Sequence, residues 1–196
     1  MMDHPESARS ALHSLLAERS VRRGTFTLAS GRVSSFYVDA RLTTMSPEGL
    51  SLIGPLGLYE IRSAGWTVDC VGGLTLGADP IAYAISYAAA LDQPVSGAVA
   101  LRAFTVRKEA KAHGTGKLIE GPFRAGDRAC VIEDTITTGG SALRAVEAVR
   151  AAGGVVVGVL ALVDREEGGR GAIEAAGVPV RALARISELL PLAPSA

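Results

Sequence analysis

Two adjacent carboxylates, Glu133 and Asp134, stand at the end of an apolar run and before a loop of threonine and glycine. Glycine lets the backbone approach a ligand closely, and the free amides at the start of a helix attract an anion such as phosphate. The carboxylates repel phosphate, so they suit the hydroxyls of a sugar that carries one, a divalent metal, or both. The segment therefore predicts a sugar-phosphate site. Its loop residues are Thr135, Ile136, Thr137, Thr138, Gly139, Gly140 and Ser141.

The spacing of this loop excludes two common nucleotide motifs. It is neither a GxxxxGKS/T phosphate loop nor a GxGxxG dinucleotide fingerprint. The simpler alternative is an ordinary strand-to-helix turn with Ser141 as the N-cap. That alternative leaves the two neighbouring acids unexplained.

A second segment, residues 107–117 (RKEAKAHGTGK), is strongly cationic. The chain has 17 arginines but only three lysines, and Lys108, Lys111 and Lys117 all fall in this segment beside Arg107 and His113. Lysine is a compact, hydrated charge on a flexible stem, and glycines in the segment oppose a helix. A mobile loop of this kind can close over a polyanion and exclude water. The alternative is a solvated cluster of charges on a surface loop.

Alternating strands and helices must position these two loops. From residue 67 onward, continuous apolar runs alternate with helical periodicity, which predicts an α/β fold with a mostly parallel twisted sheet and helices on both faces. Ligands bind such sheets at the carboxyl ends of the strands. We predict strands at 67–72, 95–101, 128–133, 155–163 and 178–183, and helices at 79–91, 141–152 and 169–176.

The N-terminal part has a different pattern. An amphipathic helix is predicted over 5–20, short strands over 25–28 and 35–39, and a helix over 47–64 that Pro55 should kink or interrupt.

Composition excludes several classes of protein. The 196 residues suit one domain, and the zero formal net charge argues against a nucleic-acid or membrane-surface binder. The sequence contains neither an apolar run long enough to span a membrane nor a signal-peptide pattern. Cys70 and Cys130 lie in apolar runs, so we expect buried free thiols and a cytoplasmic protein.

The segment EDTITTGGS resembles the motif with which phosphoribosyltransferases bind phosphoribosyl pyrophosphate, and RKEAKAHG is similar to the RKxxKxHG loop of orotate phosphoribosyltransferases. The resemblance covers roughly residues 20–190. It implies transfer of a phosphoribosyl group to orotate, with Glu133 and Asp134 on the ribose hydroxyls and Thr135–Ser141 on the phosphate. It also implies that Arg107, Lys108, Lys111 and His113 contact pyrophosphate, and that Lys111 and His113 assist its departure.

The same resemblance assigns roles outside the two loops. Residues 71–80 (VGGLTLGADP) look like a pyrophosphate-binding loop, and Arg165 and Thr137 would bind orotate. Residues of about 20–40, with Phe36 or Tyr37, and the C-terminal segment would form a hood over the base within a single domain, 1–196. The family implies Mg²⁺, held mainly by substrate oxygens and possibly near Glu133 and Asp134. It also implies a homodimer whose basic loop enters the partner's site.

Two positions depart from the best-known bacterial members. Ala29 and Leu76 stand where those members have lysines that contact ligands. Two alternatives also stay open: a phosphoribosyltransferase for another base, and a non-enzymatic sensor of phosphoribosyl pyrophosphate that binds nucleic acid.

Overall fold

A computed structural model describes residues 5–27, 33–92, 101–109 and 117–194. Its centre is a six-stranded sheet in the order β5-β4-β3-β6-β7-β8, in which every pair is parallel except β4 and β5. The α/β fold predicted from the alternating pattern is thus confirmed. The strands are β3 Cys70–Leu74, β4 Arg102–Val106, β5 Ile119–Glu120, β6 Arg128–Ile136, β7 Val155–Asp164 and β8 Val180–Arg185.

Helices cover both faces of this sheet. On β6, Cys130 and Ile132 face one hydrophobic cluster with α1, α3 and α4, whereas Val131 faces a second cluster with α5 and α6. This alternation follows from the two-residue period of a strand. The helices are α1 Pro5–Arg19, α2 Arg41–Thr44, α3 Pro47–Ser63, α4 Ala78–Leu91, α5 Gly140–Ala151, α6 Gly169–Ala175 and α7 Ile186–Leu189, with a 3-10 turn at Leu190–Leu192.

The N-terminal strands form a separate antiparallel ribbon of β1 Val21–Thr27 and β2 Val33–Val38. The ribbon is tied to the body where the amide of Asp39 donates to the Ser20 carbonyl at 2.9 Å and where the Arg23 guanidinium donates to the Leu190 carbonyl. Strand β1 begins four residues before the predicted start at 25. The prediction missed this part because Arg22 and Arg23 break the apolar alternation, but an exposed ribbon tolerates charged side chains.

The strand predicted at 95–101 lies almost wholly outside the described residues: of its positions only Leu101 is described, and it precedes the strand Arg102–Val106. That strand opens with a charged residue, which a search for apolar runs does not select. Pro55 does not interrupt α3, which runs through it. The carbonyl that loses its partner to Pro55 belongs to exposed Ser51, where water can satisfy it.

Both cysteines, Cys70 and Cys130, are free and fully buried, as predicted. In the described parts of the chain, no helix combines the length and apolar character needed to cross a membrane.

Candidate active site

The carboxyl ends of four strands meet at one edge of the sheet. Strands β3, β4, β6 and β7 end there at Leu74, Val106, Ile136 and Asp164. Each segment singled out from the sequence leaves the sheet at this edge. Strand β6 runs three residues past the predicted end at 133, so the acid pair lies on the strand itself.

The loop after β6 leads into α5 without a side-chain cap. Gly139 is the N-cap, with a left-handed φ of 82°, and as a glycine it provides no side-chain cap for the first turn of the helix. The alternative in which Ser141 caps an ordinary turn is therefore wrong. The first amides of α5 have no partner within the helix, as helix geometry requires, and they remain donors for an anion.

The start of α6 braces this loop from behind. The amide of Gly169 donates to the Thr137 carbonyl at 3.0 Å, and a Cβ on Gly139 would lie 2.7 Å from the Gly169 carbonyl oxygen. Only glycine fits both the left-handed backbone and this close approach. The loop is therefore held in one conformation by backbone contacts, while Thr138 and Gly140 are exposed.

The two acids beside the loop differ in environment. Glu133 is 7% exposed, and burial, helped by the neighbouring Asp134 charge, raises its pKa to about 9. Among the described residues, nothing donates a hydrogen bond to its buried Oε2. Asp134 is half-buried and its Oδ1 accepts the Thr135 amide at 2.8 Å. A largely neutral buried carboxyl with a spare oxygen suits a sugar hydroxyl better than a cation.

The β3–α4 loop lies against the acid pair. A Cβ on Gly77 would clash with the Asp134 carboxylate, so Gly77 lets the two segments approach. Behind it, Asp79 accepts hydrogen bonds from the Thr75 hydroxyl at 2.7 Å and the Thr105 hydroxyl at 2.8 Å. The Tyr83 hydroxyl lies 2.9 Å from Thr105 Oγ1. This network fixes the predicted anion-binding loop, and sequence reasoning missed it.

The basic loop is anchored at its root. The Arg107 amide donates to the Leu118 carbonyl at 2.8 Å, where β4 pairs with β5. The Arg107 side chain lies 3.5 Å from the Glu120 carboxylate, while Lys108 and Lys117 are exposed. The predicted residues Lys111 and His113, with Gly114 and Gly116, lie outside the described residues. The described ends of this segment, at Arg107 and Leu118, therefore lie at the same edge of the sheet.

The ribbon meets this edge at Arg165. The guanidinium carbon of Arg165 lies 4.9 Å from the centroid of the Phe36 ring, and Arg165 is 6% exposed. Its amide donates to the Ile136 carbonyl at 3.0 Å, which places it beside the loop that begins with Thr137. Tyr37, by contrast, packs against Phe26 with ring centroids 5.7 Å apart. Of the two aromatic candidates, Phe36 is therefore the one in contact with Arg165.

Comparison with known proteins decides the family. The chain is 46% identical over 185 residues to the orotate phosphoribosyltransferase of Aquifex aeolicus, covering 93% of this chain and 97% of that protein. The chain belongs to the orotate phosphoribosyltransferase family. No family model matches the sequence.

Solved structures of orotate phosphoribosyltransferases agree with this assignment. The Mycobacterium tuberculosis enzyme in complex with Fe(III) dicitrate superposes with a TM-score of 0.77 at 45% identity, covering 93% of this chain and 98% of that chain. The same enzyme in complex with phosphoribosyl pyrophosphate gives a TM-score of 0.73 at 38% identity, covering 93% and 92%.

For an orotate phosphoribosyltransferase, the edge of the sheet brings together most of the predicted site. The acid pair Glu133 and Asp134, the 135–141 loop and Arg165 lie next to one another at this edge. Within the loop, the Ile136 side chain is buried, so only the backbone of that residue could contact a ligand. Exposed Leu76 lies in the β3–α4 loop, and Ala29 falls outside the described residues. Besides the Asp79 network, sequence reasoning missed Glu167, whose Oε1 lies 2.6 Å from Arg165 Nη2. Glu167 follows Arg165 by two positions, and nothing in that sequence spacing indicates that the two side chains are in contact.

Proposed function

We propose that this protein transfers the 5-phosphoribosyl group from phosphoribosyl pyrophosphate to orotate, giving orotidine 5'-monophosphate and pyrophosphate in UMP biosynthesis. The observation that carries this proposal is that one edge of the sheet holds three complementary features: an uncapped helix start, an acid pair of buried Glu133 and half-buried Asp134, and a buried arginine under an aromatic ring. They match a phosphate, sugar hydroxyls and a planar carboxylate-bearing base. Membership in the family supports the reaction.

The ribose 5-phosphate would bind between β6 and α5. The amides at the start of α5 and the hydroxyls of Thr135, Thr137, Thr138 and Ser141 donate to phosphate oxygens. Glu133 and Asp134 hold the ribose hydroxyls, because carboxyl oxygens accept hydrogen bonds from them. A relative was solved with phosphoribosyl pyrophosphate bound, which supports this substrate.

Orotate would bind between this loop and the ribbon. The Arg165 guanidinium suits its carboxylate, Thr137 its ring, and Phe36 one face of the base. The ribbon of β1 and β2, with the 3-10 turn that Arg23 contacts, then acts as the hood over the base within one domain.

Catalysis would rest on positioning and on charge stabilisation. The carbon–oxygen bond between ribose C1 and pyrophosphate breaks, and a bond forms between that carbon and the orotate ring nitrogen, whose proton passes to the departing pyrophosphate. Positive charge develops on the ribose ring and negative charge on the departing pyrophosphate. Arg107, Lys108, Lys111 and His113 neutralise the latter, and closure of their loop excludes water. No covalent enzyme intermediate is needed.

Lys111 tests the role of the basic loop. Lys111→Ala should lower kcat by about 100-fold or more, with a much smaller change in substrate KM, because its charge matters most as pyrophosphate leaves. Lys117→Ala, at the end of the same segment, is the matched control. Equal kcat values for the wild type and Lys111→Ala would contradict the assignment.

We include Mg²⁺ as the cofactor. Among the described residues, no group of three His, Cys, Asp or Glu side chains could hold a metal ion. Half-buried Asp134, beside the largely neutral Glu133, offers its carboxylate oxygens at the site. This donor set fits an ion whose ligands come mostly from the substrate's oxygens. The ion would supply charge neutralisation on pyrophosphate.

We further propose that the protein is a cytoplasmic homodimer. A groove between α3 and α4 exposes a contiguous set of apolar side chains, and contiguous apolar surface is typical of a protein–protein interface. The groove is lined by Leu50, Pro55, Tyr59, Tyr83, Tyr87 and Leu91, among others. The Tyr83 hydroxyl contacts Thr105 near the root of the basic loop, so a second copy seated here would place each loop beside its partner.

Complementation between two impaired variants tests the shared site. Lys111→Ala and Glu133→Gln should each keep little activity alone, yet mixed dimers should regain part of the wild-type kcat, because one of their two sites carries neither change. Light scattering should report a dimer. A monomer, or no recovery after verified subunit exchange, would refute the shared active site.

The reaction itself is tested by the absorbance of orotate on mixing with protein, phosphoribosyl pyrophosphate and Mg²⁺. We expect loss of the orotate signal that depends on every component, and no turnover of uracil or hypoxanthine. Turnover of another base alone would overturn the role of Arg165. Inactivity with all three bases would refute the proposed reaction.

A further inference from the structure

Arg165 is a buried cation with an unusual neighbour. Its side chain is 6% exposed under the Phe36 ring, and its Nη2 lies 2.6 Å from Oε1 of Glu167, whose side chain is 15% exposed. A buried charge is costly unless a counter-ion compensates it. The Glu167 carboxylate therefore acts as the counter-ion of Arg165, the role that the carboxylate of a bound substrate could also take.

The contact between the two side chains leaves the guanidinium incompletely bonded. Nε and Nη2 of Arg165 are buried, and no described residue accepts a hydrogen bond of good geometry from either. These two nitrogens form one edge of the guanidinium, and such an edge matches a carboxylate bidentately. Glu167 is close enough to neutralise Arg165, yet it does not take up this edge.

The turn that carries Glu167 is built to hold it there. Glu166 has a left-handed φ of 56°, an uncommon conformation for a residue other than glycine. Its amide donates to Asp164 Oδ1 at 2.9 Å, and its carboxylate accepts the Ser187 amide at 3.0 Å. These two anchors fold the chain back, so that Glu167 faces Arg165.

We propose that Glu167 is an internal competitor for the substrate carboxylate: it pairs with Arg165 in the ligand-free site and gives up that contact when orotate or orotidine 5'-monophosphate binds. The inference rests on the proposed function, which places the orotate carboxylate at Arg165. Glu167 is thus a residue that sets affinity, and it acts through Arg165 without touching the reacting atoms. It weakens the binding of carboxylate-bearing ligands and favours release of the product.

This role predicts the sign of a substitution. Glu167→Gln keeps the size of the side chain but removes its charge, so a ligand carboxylate no longer displaces an anion from Arg165. Binding of orotidine 5'-monophosphate should tighten by about fivefold or more, the size expected for one charged contact. Binding of uridine 5'-monophosphate, which differs only in lacking the carboxylate, should stay unchanged.

Calorimetric titration of both nucleotides into the wild type, Glu167→Gln and Glu174→Gln tests the proposal. Glu174 is a matched control, because it is an exposed carboxylate on α6 that pairs with Arg170 at 3.6 Å. Only Glu167→Gln should tighten orotidine 5'-monophosphate, and it should also lower the KM for orotate. If Glu167→Gln fails to fold, Glu167→Asp, which draws the charge back from Arg165, should tighten binding to a smaller degree.

The outcomes separate the two proposals. Unchanged or weaker binding of orotidine 5'-monophosphate to a folded Glu167 variant would overturn the competitor role and make Glu167 a support for Arg165. Equal tightening of both nucleotides would also overturn it, since the carboxylate would then be irrelevant. If the wild type itself showed no preference for orotidine 5'-monophosphate, the proposed orotate contact at Arg165 would fail.

Discussion

The two edges of the central sheet treat charge in opposite ways. At the amino edge, Arg128 makes hydrogen bonds to Asp69 from both Nε and Nη2 at 2.9 Å, and Arg102 Nη2 donates to Asp127 at 2.6 Å. At the carboxyl edge, buried Glu133 and Arg165 each keep polar atoms without a hydrogen-bond partner among the described residues. The ion pairs at the amino edge are thus fully hydrogen-bonded, whereas two buried ionisable side chains at the carboxyl edge are not.

The pKa values follow this difference. At the amino edge, hydrogen bonds from Arg128 lower the pKa of Asp69 to about 2. Burial opposes ionisation of Asp127, but the hydrogen bonds from Arg102 and the Arg124 amide keep its pKa below the usual range. At the carboxyl edge, burial raises the pKa of Glu133 to about 9. Ion pairs at one edge favour folding, whereas open polar groups at the other await a ligand.

The sharpest test of this contrast is Glu133→Gln. We expect kcat/KM to fall by about 100-fold or more, because a ribose hydroxyl loses its carboxyl partner. The free energy of unfolding should not fall, since the native carboxyl lacks a full set of partners. Steady-state kinetics and urea unfolding on one preparation measure both, and a large loss of stability would contradict the account.

The same variant should change how stability depends on pH. A carboxyl whose folded pKa is raised contributes stability below its unfolded pKa, here 4.5, and loses it as pH rises toward about 9. The wild type should therefore lose free energy of unfolding across this range relative to Glu133→Gln. Parallel curves for the two proteins would show that Glu133 ionises normally.

Asp127→Asn should have the opposite effects from Glu133→Gln: a loss of stability with little change in kcat/KM. Its carboxylate pairs with Arg102 and accepts the Arg124 amide at 2.7 Å, and its side chain is 9% exposed. Breaking such a pair should lower the free energy of unfolding by about 2–4 kcal/mol. The kcat/KM of the folded variant should stay within about twofold of the wild type. A large fall in kcat/KM at a temperature where the variant is folded would argue against separate roles for the two edges.

Gly77→Ala should have an intermediate effect, confined to the carboxyl edge. The added Cβ would clash with the Asp134 carboxylate, which can move away because it is the end of a side chain. We expect about a tenfold loss of kcat/KM from the displaced acid, with little change in the thermal midpoint. Gly65→Ala, where a Cβ would meet no atom of the described residues within 4 Å but the φ of 70° is unfavourable, is a control for backbone strain alone.

Asp69→Asn should give the smallest effect. Its pair with Arg128 is partly exposed, with side-chain exposures of 28% and 46%, so the loss in free energy of unfolding should be below about 1 kcal/mol at neutral pH. A carboxylate whose pKa is lowered on folding stabilises the folded state at pH values above its unfolded pKa, and this stabilisation is lost as pH falls toward about 2. The difference between variant and wild type should therefore shrink in acid. A difference that grew on acidification would contradict the pair.

The two loops could be singled out from the sequence because their chemistry is local. EDTITTGGS and RKEAKAHG carry acids, glycines and cations in consecutive positions, and alternating apolar runs indicate the sheet. Sequence reasoning failed where structure depends on distant partners. The N-cap at Gly139 depends on close packing against Gly169, and Glu167 meets Arg165 through a turn anchored by Asp164. Strand β4 opens with Arg102, whose charge is satisfied by Asp127. The Gly139–Gly169 and Arg102–Asp127 contacts join residues far apart in the chain, and the turn between the neighbouring residues Arg165 and Glu167 depends on the distant Ser187, whose amide Glu166 accepts.

The most direct test of the two-edge account is the shift in thermal midpoint that phosphoribosyl pyrophosphate with Mg²⁺ produces in the wild type, Asp127→Asn and Glu133→Gln. A ligand that binds the folded state raises the midpoint in proportion to its binding free energy. We predict that Asp127→Asn unfolds at a lower temperature than the wild type yet shows the full ligand-induced rise in midpoint. Glu133→Gln should unfold at or above the wild-type midpoint without ligand and should lose most of the ligand-induced rise. A full rise in Glu133→Gln, or its loss in Asp127→Asn, would contradict the assignment of the carboxyl edge as the binding site.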